Sequence, residues 1–343
     1  MANYKGIKGF QVQSRSGDPD NPIVGDFYYD TAAGSFKVVK DGGPPIGAWA
    51  SGGNLNQRRG NMTGFGTSTS AAITAGGAYD PGAPGGSNLT ESYNGTAWTE
   101  VAELNQARNS QASLGTATAG MAAGGTMSPS PGSPFTTTET WNGASWTTGT
   151  AFNTARSGQR GAGSLTAGII MGGYNPPPTL QMTNTETWNG SSWTEVNELN
   201  TRRTNASSAQ QSPSTSTLVY GGYTTPPPNT AATEAWNGTS WTAVADLNAA
   251  KDNGGGTGTS STSAMNMGGR GPLTATEYYD GTSWTEVADL AKGRGYVASA
   301  GNGASNAMIS GGESPDPSPP NYYDNQTEEW SAADQEIKTV TTS

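Results

Sequence analysis

Three short signatures recur in fixed order along most of this chain, and that repetition limits its possible folds more than any single motif does. The first is a Gly-Gly doublet closing a run of small and apolar residues. It begins at Gly76, Gly124, Gly172, Gly221, Gly268 and Gly311, in steps of 48, 48, 49, 47 and 43 residues. The second is Thr-Glu-x-(Trp or Tyr), with its glutamate at Glu91, Glu139, Glu186, Glu234, Glu277 and Glu328. The third is Trp, then Leu or Phe six residues on, then Arg or Lys four beyond. Its copies start at Trp49, Trp98, Trp146, Trp193, Trp241 and Trp284 and end at Arg59, Arg108, Arg156, Arg203, Lys251 and Arg294. All ten tryptophans fall inside the two aromatic signatures, a register that chance does not produce.

Each repeat reads as four strands. Strand a follows the Arg or Lys; strand b ends at the Gly-Gly doublet, as in Thr166 to Gly173; strand c holds Thr-Glu-x-Trp; strand d starts at the second Trp. Between c and d lie Asn94-Gly95, Asn142-Gly143, Asn189-Gly190, Asn237-Gly238 and Asp280-Gly281. Asn-Gly and Asp-Gly tolerate the positive φ angles of a tight hairpin, which makes c and d antiparallel neighbours. Four antiparallel strands repeated six times at this period predict an all-β fold, a six-bladed β-propeller. Blades pack face to face, and tryptophan supplies a large flat surface for that contact. The doublet glycines let strand b come close to a neighbouring backbone. The strand-c glutamates and the Arg or Lys after strand d recur in equal number. Either they pair within or between blades, or they are separate solvated charges.

The first Trp of the third signature, Trp49, precedes any strand a, and the last strand c, at Trp330, has no such Trp after it. The expectation is that the segment around Trp49 supplies the missing strand d and closes the ring, removing open sheet edges. A rival makes Glu336 to Val340 the last blade's own outer strand. The organisation expected is thus a short N-terminal β module over 1–46, a propeller over 47–330, and a tail or extra strand over 331–343.

Composition narrows the chemistry. The chain has 343 residues with no cysteine and no histidine, which removes disulfides, thiolates and the commonest metal ligand and general base. No catalytic, cofactor-binding or metal site is expected. A formal net charge of -10 without a basic run argues against nucleic acid or anionic membrane as a partner. No apolar h-region follows Met1, and no stretch has the apolar length of a membrane span, so neither a secretory signal nor membrane insertion is expected.

The hydrophobic run ending in Gly-Gly, followed by an aromatic and then Trp, resembles the kelch repeat over about residues 47–330. The resemblance implies the propeller fold and a binding role. The short aromatic-to-Trp spacing and the Asn-Gly turn depart from the family pattern. The Trp-Asn-Gly-x-Ser-Trp style resembles kelch-like proteins of marine bacteriophages. The segment Val24 to Val39, read as a β-hairpin, is similar to one near the starts of phage tail-fibre and appendage proteins. This likeness implies a virion protein made in the host cytoplasm and attached to other virion proteins through its N-terminal module. Kelch-type copper oxidases need histidine ligands and a cysteine-linked tyrosine, so that activity is excluded. Tyr279 to Trp284 looks like a sialidase Asp box, but its Asp and Gly are adjacent and read better as a hairpin turn.

Chain direction places the b–c and d–a connections on one face. The b–c loops are long and variable: 78–87, 126–135, 174–182, 223–232 and 313–323, with proline runs at Pro176-Pro177-Pro178 and Pro226-Pro227-Pro228. The fifth, around Arg270-Gly271-Pro272, is short. Variable loops on a rigid scaffold carry recognition. Tyr79, Phe135, Tyr174, Tyr223, Tyr322 and Tyr323 are the candidate partner contacts; the alternative is that they only pack the loops down. Asp316 and Asp324 are acidic enough for calcium but lack a calcium-loop spacing. Asn88 and Asn94 match glycosylation acceptors, though turn chemistry explains them. The expected function is a non-enzymatic tail-fibre or appendage adhesin facing a host-surface glycan or protein. Alternatives are a capsid or tail decoration (cement) protein and a cryptic carbohydrate-active enzyme.

Overall fold

Among the described residues strands alone make up the regular structure. The computed structural model describes residues 12–17, 27–40, 45, 47–79, 86–127, 133–176, 181–225, 229–271, 273–313, 323–332 and 336–339. Among them there are seven four-stranded sheets and no helix. The chain divides into two units, Met1–Ile46 with Ala333–Ser343, and Gly47–Ala332.

Six of the sheets lie in the larger unit, and all are antiparallel throughout. The first runs Thr63–Ser68, Ala71–Ala75, Thr90–Tyr93, Trp98–Val101 from its inner to its outer strand, positions a to d. The a strands of the six are Thr63–Ser68, Ala112–Thr116, Arg160–Ser164, Ser207–Ser208, Gly255–Ser260 and Ala298–Gly301. Each neighbours the next, and the last neighbours the first, so they form a closed ring. This is the arrangement of a β-propeller.

The aromatic signatures hold the ring together. In each sheet the strand-c aromatic sits directly opposite the strand-d Trp, as Trp141 does Trp146, with ring centroids 4.8 to 5.6 Å apart. The strand-d indoles then reach the preceding sheet. The Nε1–H groups of Trp98, Trp146, Trp241 and Trp284 donate to Thr327, Thr90, Thr185 and Thr233, at 2.9 to 3.2 Å. Those are the threonines of Thr-Glu, so the signature's Thr serves the next sheet and its Glu serves its own. Burying these rings stabilises each interface by about 1.5–3 kcal/mol per large side chain.

The sixth sheet consists of Ala298–Gly301, Asn306–Ser310, Thr327–Ala332 and Gly47–Ser51. Trp49 lies opposite Trp330, so the N-terminal side of the chain supplies strand d. The rival assignment of the tail is corrected: Glu336–Thr339 pairs with Ser35–Lys40. That pair belongs to the seventh sheet, in order Gln13–Arg15, Phe27–Asp30, Ser35–Lys40, Glu336–Thr339. Its first two strands are parallel, unlike any pair in the six. The expected hairpin is therefore half of a larger sheet; its opening residues 24–26 lie outside the described residues.

The c–d turns also differ from expectation. Four residues separate the paired Tyr93 and Trp98. Only the glycine takes a positive φ (Gly95 +91°), while Asn94 Oδ1 accepts the Thr96 and Ala97 N–H groups, both at 2.9 Å. The asparagine closes the turn with its side chain rather than with a left-handed backbone.

Near the axis the a strands crowd one another. Gly64, Ser113, Gly161, Ser208, Gly256 and Ser299 occupy equivalent positions, alternating Gly and Ser around the ring. Each serine hydroxyl donates to the carbonyl of the glycine before it: Ser113 to Gly64, Ser208 to Gly161, Ser299 to Gly256, at 2.8 to 3.0 Å. A Cβ on Gly161 would lie 2.4 Å from the Ser113 carbonyl oxygen. Gln210 of the fourth sheet crosses the axis, its amide donating to Ser113 Oγ at 2.7 Å and to the Gly64 carbonyl.

Candidate recognition face

The loop-bearing face stands on six buried ion pairs: Arg59–Glu91, Arg108–Glu139, Arg156–Glu186, Arg203–Glu234, Lys251–Glu277 and Arg294–Glu328. The equal recurrence of these charges in the sequence thus reflects pairing. In the fourth sheet Arg203 Nη2 meets Glu234 at 2.7 Å, and Nη1 donates to the Gly221 and Ala232 carbonyls at 2.9 and 2.7 Å. One guanidinium ties the end of strand b to the start of strand c, at the base of the b–c loop. The other glutamate oxygen accepts the backbone and side-chain N–H groups of Asn200 at 2.7 and 2.9 Å. Burial lowers the pKa of Arg59, Arg108, Arg156 and Arg203, and the paired glutamates oppose that effect. These carboxylates are committed to the framework and offer no free acid or base.

The doublet glycines sit where two d–a connections pinch strand b. Gly76 has φ +69°, and its Cβ would meet the Arg108 carbonyl at 2.5 Å; Gly77 N–H donates to that same oxygen at 2.9 Å.

Two residues after each Arg or Lys the chain turns left-handed: Asn61 (φ 55°), Ser110 (54°), Gly158 (66°), Asn205 (53°), Asn253 (58°) and Tyr296 (56°). Their backbones form a closed hydrogen-bonded collar. Asn61 donates to Tyr296, Ser110 to Asn61, Gly158 to Ser110, Asn205 to Gly158, Asn253 to Asn205 and Tyr296 to Asn253, all at 2.7 to 2.9 Å. A left-handed non-glycine residue costs about 1–2 kcal/mol. The collar offsets that cost by giving every member a donor and an acceptor in the ring.

The residues just after the doublets are Ala78, Thr126, Tyr174, Tyr223, Arg270 and Glu313. Except for Arg270, each forms a bridge with the residue preceding a collar member; Arg270 N–H instead donates to the Asp252 carbonyl at 2.8 Å. Arg270 stands out chemically. Its guanidinium lies 5.5 Å over the Tyr223 ring, and its Nε contacts Asp252 at 3.2 Å while 42% of its side chain stays exposed. Burial raises the pKa of Asp252 even though Arg270 opposes it. The fifth b–c loop closes within four residues, Leu273 N–H donating to Gly269 at 3.2 Å.

The sequence candidates divide. Tyr174 and Tyr223 are half-buried next to the collar. Tyr79 is half-buried and accepts the Ser87 hydroxyl at 3.2 Å. Phe135 lies 5.7 Å from the Arg108 guanidinium. Tyr323 is 8% exposed, covers Gly60 and accepts from Asn61 Nδ2 at 3.3 Å, which gives it a packing role. Tyr322 lies outside the described residues, as do Pro177, Pro178 and Pro226 to Pro228. Asp316 lies outside them too, and Asp324 is held by Lys292 at 2.6 Å. Among the described residues no cluster of three or more acidic side chains could hold a metal. Arg270, Asp252 and the collar were not among the sequence candidates. The available signal was the position two residues after the repeating cation, which is Asn in three of the six copies.

The fold and this face define an all-β, propeller-type scaffold whose exposed variation lies in loops at one end. Solved structures of similar fold include one described as the structure of YjhT, with a TM-score of 0.65 and 14% identity, covering 84% of this chain and 99% of that one. At that identity the likeness speaks for the fold alone. No protein-family model and no curated protein matches the chain.

Proposed function

We propose that the chain is a six-bladed, kelch-type propeller that works as a non-enzymatic binding module of a phage virion appendage, with the b–c face turned to a host-surface glycan or protein. The six-blade reading rests on the collar, which closes after six members, and on the seventh sheet, which lacks the repeat signatures and has a parallel pair. The observation that carries the binding role is the contrast within one face. A repeated base of ion pairs and collar supports loops that differ in length and sequence. A rigid base lowers the ordering cost of binding. The carboxylates that recur in every blade are filled by Arg, Lys and Asn partners, which favours recognition over turnover. The smaller unit would attach the module to other virion proteins.

Immunogold electron microscopy of phage particles with antibody to residues 47–343 tests the assignment. Label on tail or fibres supports it, label over the capsid favours a decoration protein, and unlabelled particles sink the virion assignment. Host-cell binding by the purified propeller should fall when the 174–182 and 223–232 loops are shortened to the length of the fifth. Polysaccharide turnover abolished by one carboxylate substitution would replace this reading with an enzyme.

A further inference from the structure

Beneath the collar the a strands of all six sheets line an axial cavity of about 30 Å³. A cavity needs roughly 10–15 Å³ on that measure to hold one water, so there is room for about two small species. Its walls are mostly glycine, serine and glutamine, with one charged group, Arg160. Arg160 Nε donates to the Ala206 carbonyl. Among the described residues its two terminal nitrogens have no hydrogen-bond partner, and no carboxylate lies within ion-pair distance. The neighbouring acid Asp252 is engaged by Arg270. Arg160 keeps some accessible surface because it faces the cavity, yet protein surrounds it, and burial pulls its pKa down to about 10. It therefore stays charged at neutral pH. A second pair of groups also lacks partners. Gln111 and Gln210, 2% and 6% exposed, line the same cavity, and their Oε1 atoms, buried away from its open space, accept nothing. Their amide nitrogens are already used, by the Ala75 carbonyl at 2.9 Å and by Ser113 Oγ at 2.7 Å.

An enclosed guanidinium without a counter-charge is costly, and an isolated buried ion is normally paired. We propose that the axial cavity is a binding site for a small monovalent anion of halide size, held by Arg160. The anion supplies the missing negative charge. The glycine and serine carbonyls around the wall disfavour a second anion.

Bromide is the probe. Crystals of the full chain equilibrated in sodium bromide should give an anomalous difference peak in the cavity at contact distance from Arg160. In solution, the melting temperature should rise with bromide concentration when sodium gluconate holds ionic strength constant, because a ligand that binds only the folded state stabilises it by mass action. Arg160→Met should lose that bromide dependence, while Arg202→Met, on an exposed arginine, should keep it. A cavity without an anomalous peak overturns the proposal, as does an Arg160→Met variant that still responds to bromide like the parent. If Arg160→Met does not fold, the anomalous map of the unaltered chain decides alone.

Discussion

Arg203 and Glu234 meet at 2.7 Å with 0% and 1% of their side chains accessible, and the same contact recurs in every sheet of the ring. A pair so enclosed is worth little compared with a well-packed apolar substitute, but removing one member leaves the other charge stranded. Arg203→Met should therefore cost about 3–5 kcal/mol in urea unfolding. Arg203→Met with Glu234→Gln should recover part of that loss, because the glutamine oxygen can still accept from Asn200.

The fifth sheet already carries Lys251 where the others have arginine. Lys251 contacts Glu277 at 2.6 Å but lacks the second arm that Arg203 extends to two carbonyls. Arg203→Lys should keep the charge and still destabilise by about 1.5–3 kcal/mol, the range for hydrogen bonds involving charged groups. Thermal or urea unfolding measures it, and a neutral result would show that the carbonyl contacts contribute nothing.

At the axis, Gly161→Ala should cost about 1–3 kcal/mol, since its Cβ would press on the Ser113 carbonyl and the ring cannot widen at one point. Ser113→Ala, which only removes the hydroxyl bond to Gly64, should cost about 1 kcal/mol. Reversal of that order would show that the a strands are not in tight contact.

Asp280 performs in the fifth c–d turn what asparagine performs in the others, accepting the Thr282 and Ser283 N–H groups at 2.8 Å. Asn142→Asp should therefore leave stability within about 0.5 kcal/mol. Asn142→Ala, which removes the acceptor for the Ala144 and Ser145 N–H groups, should cost about 0.5–1.5 kcal/mol.

In the smaller unit, Lys37 at 2.9 Å and the Ala33, Ala32 and Gly17 N–H groups hold the Asp30 pKa at about 2, against an ordinary 3.8. The folded pKa is depressed, so this contact's contribution is present above the ordinary value and is lost as pH falls through about 2. The Ala32 and Ala33 amide chemical shifts should stay constant down to about pH 3 and then titrate together. Titration near the ordinary value would show the hairpin to be open in solution.

Much of this architecture could be read before any coordinates because its determinants are local. Gly-Gly, Thr-Glu-x-Trp and the Trp-to-Arg spacing each encode a strand end, a strand face or a connection within a few residues, and they repeat. The pairing of the cations with the glutamates stayed open in the sequence because the partners lie 26 to 34 residues apart, as Lys251–Glu277 and Arg294–Glu328 do, and alternating charges are equally common on solvated surfaces. Closure by Trp49 against Trp330 could be inferred from a missing copy at each end of the repeat.

The candidate face was only partly visible. Tyr174 and Tyr223 could be placed in loops, yet the depth that sets them at the collar, and that makes Tyr323 a packing residue, depends on how neighbouring sheets meet.

The amino-acid sequence by itself determined the repeat, the strand content and the order of strands, because hydrogen-bonding period and turn chemistry act between near neighbours. Only the tertiary structure decided the collar from Asn61 round to Tyr296, the Gly and Ser alternation at the axis, the crossing of Gln210 and the unpaired Arg160. Each is a relation among residues of different sheets. It exists only once the ring has closed, when the distances between inner strands are set by all six sheets together and no segment of the chain specifies them alone.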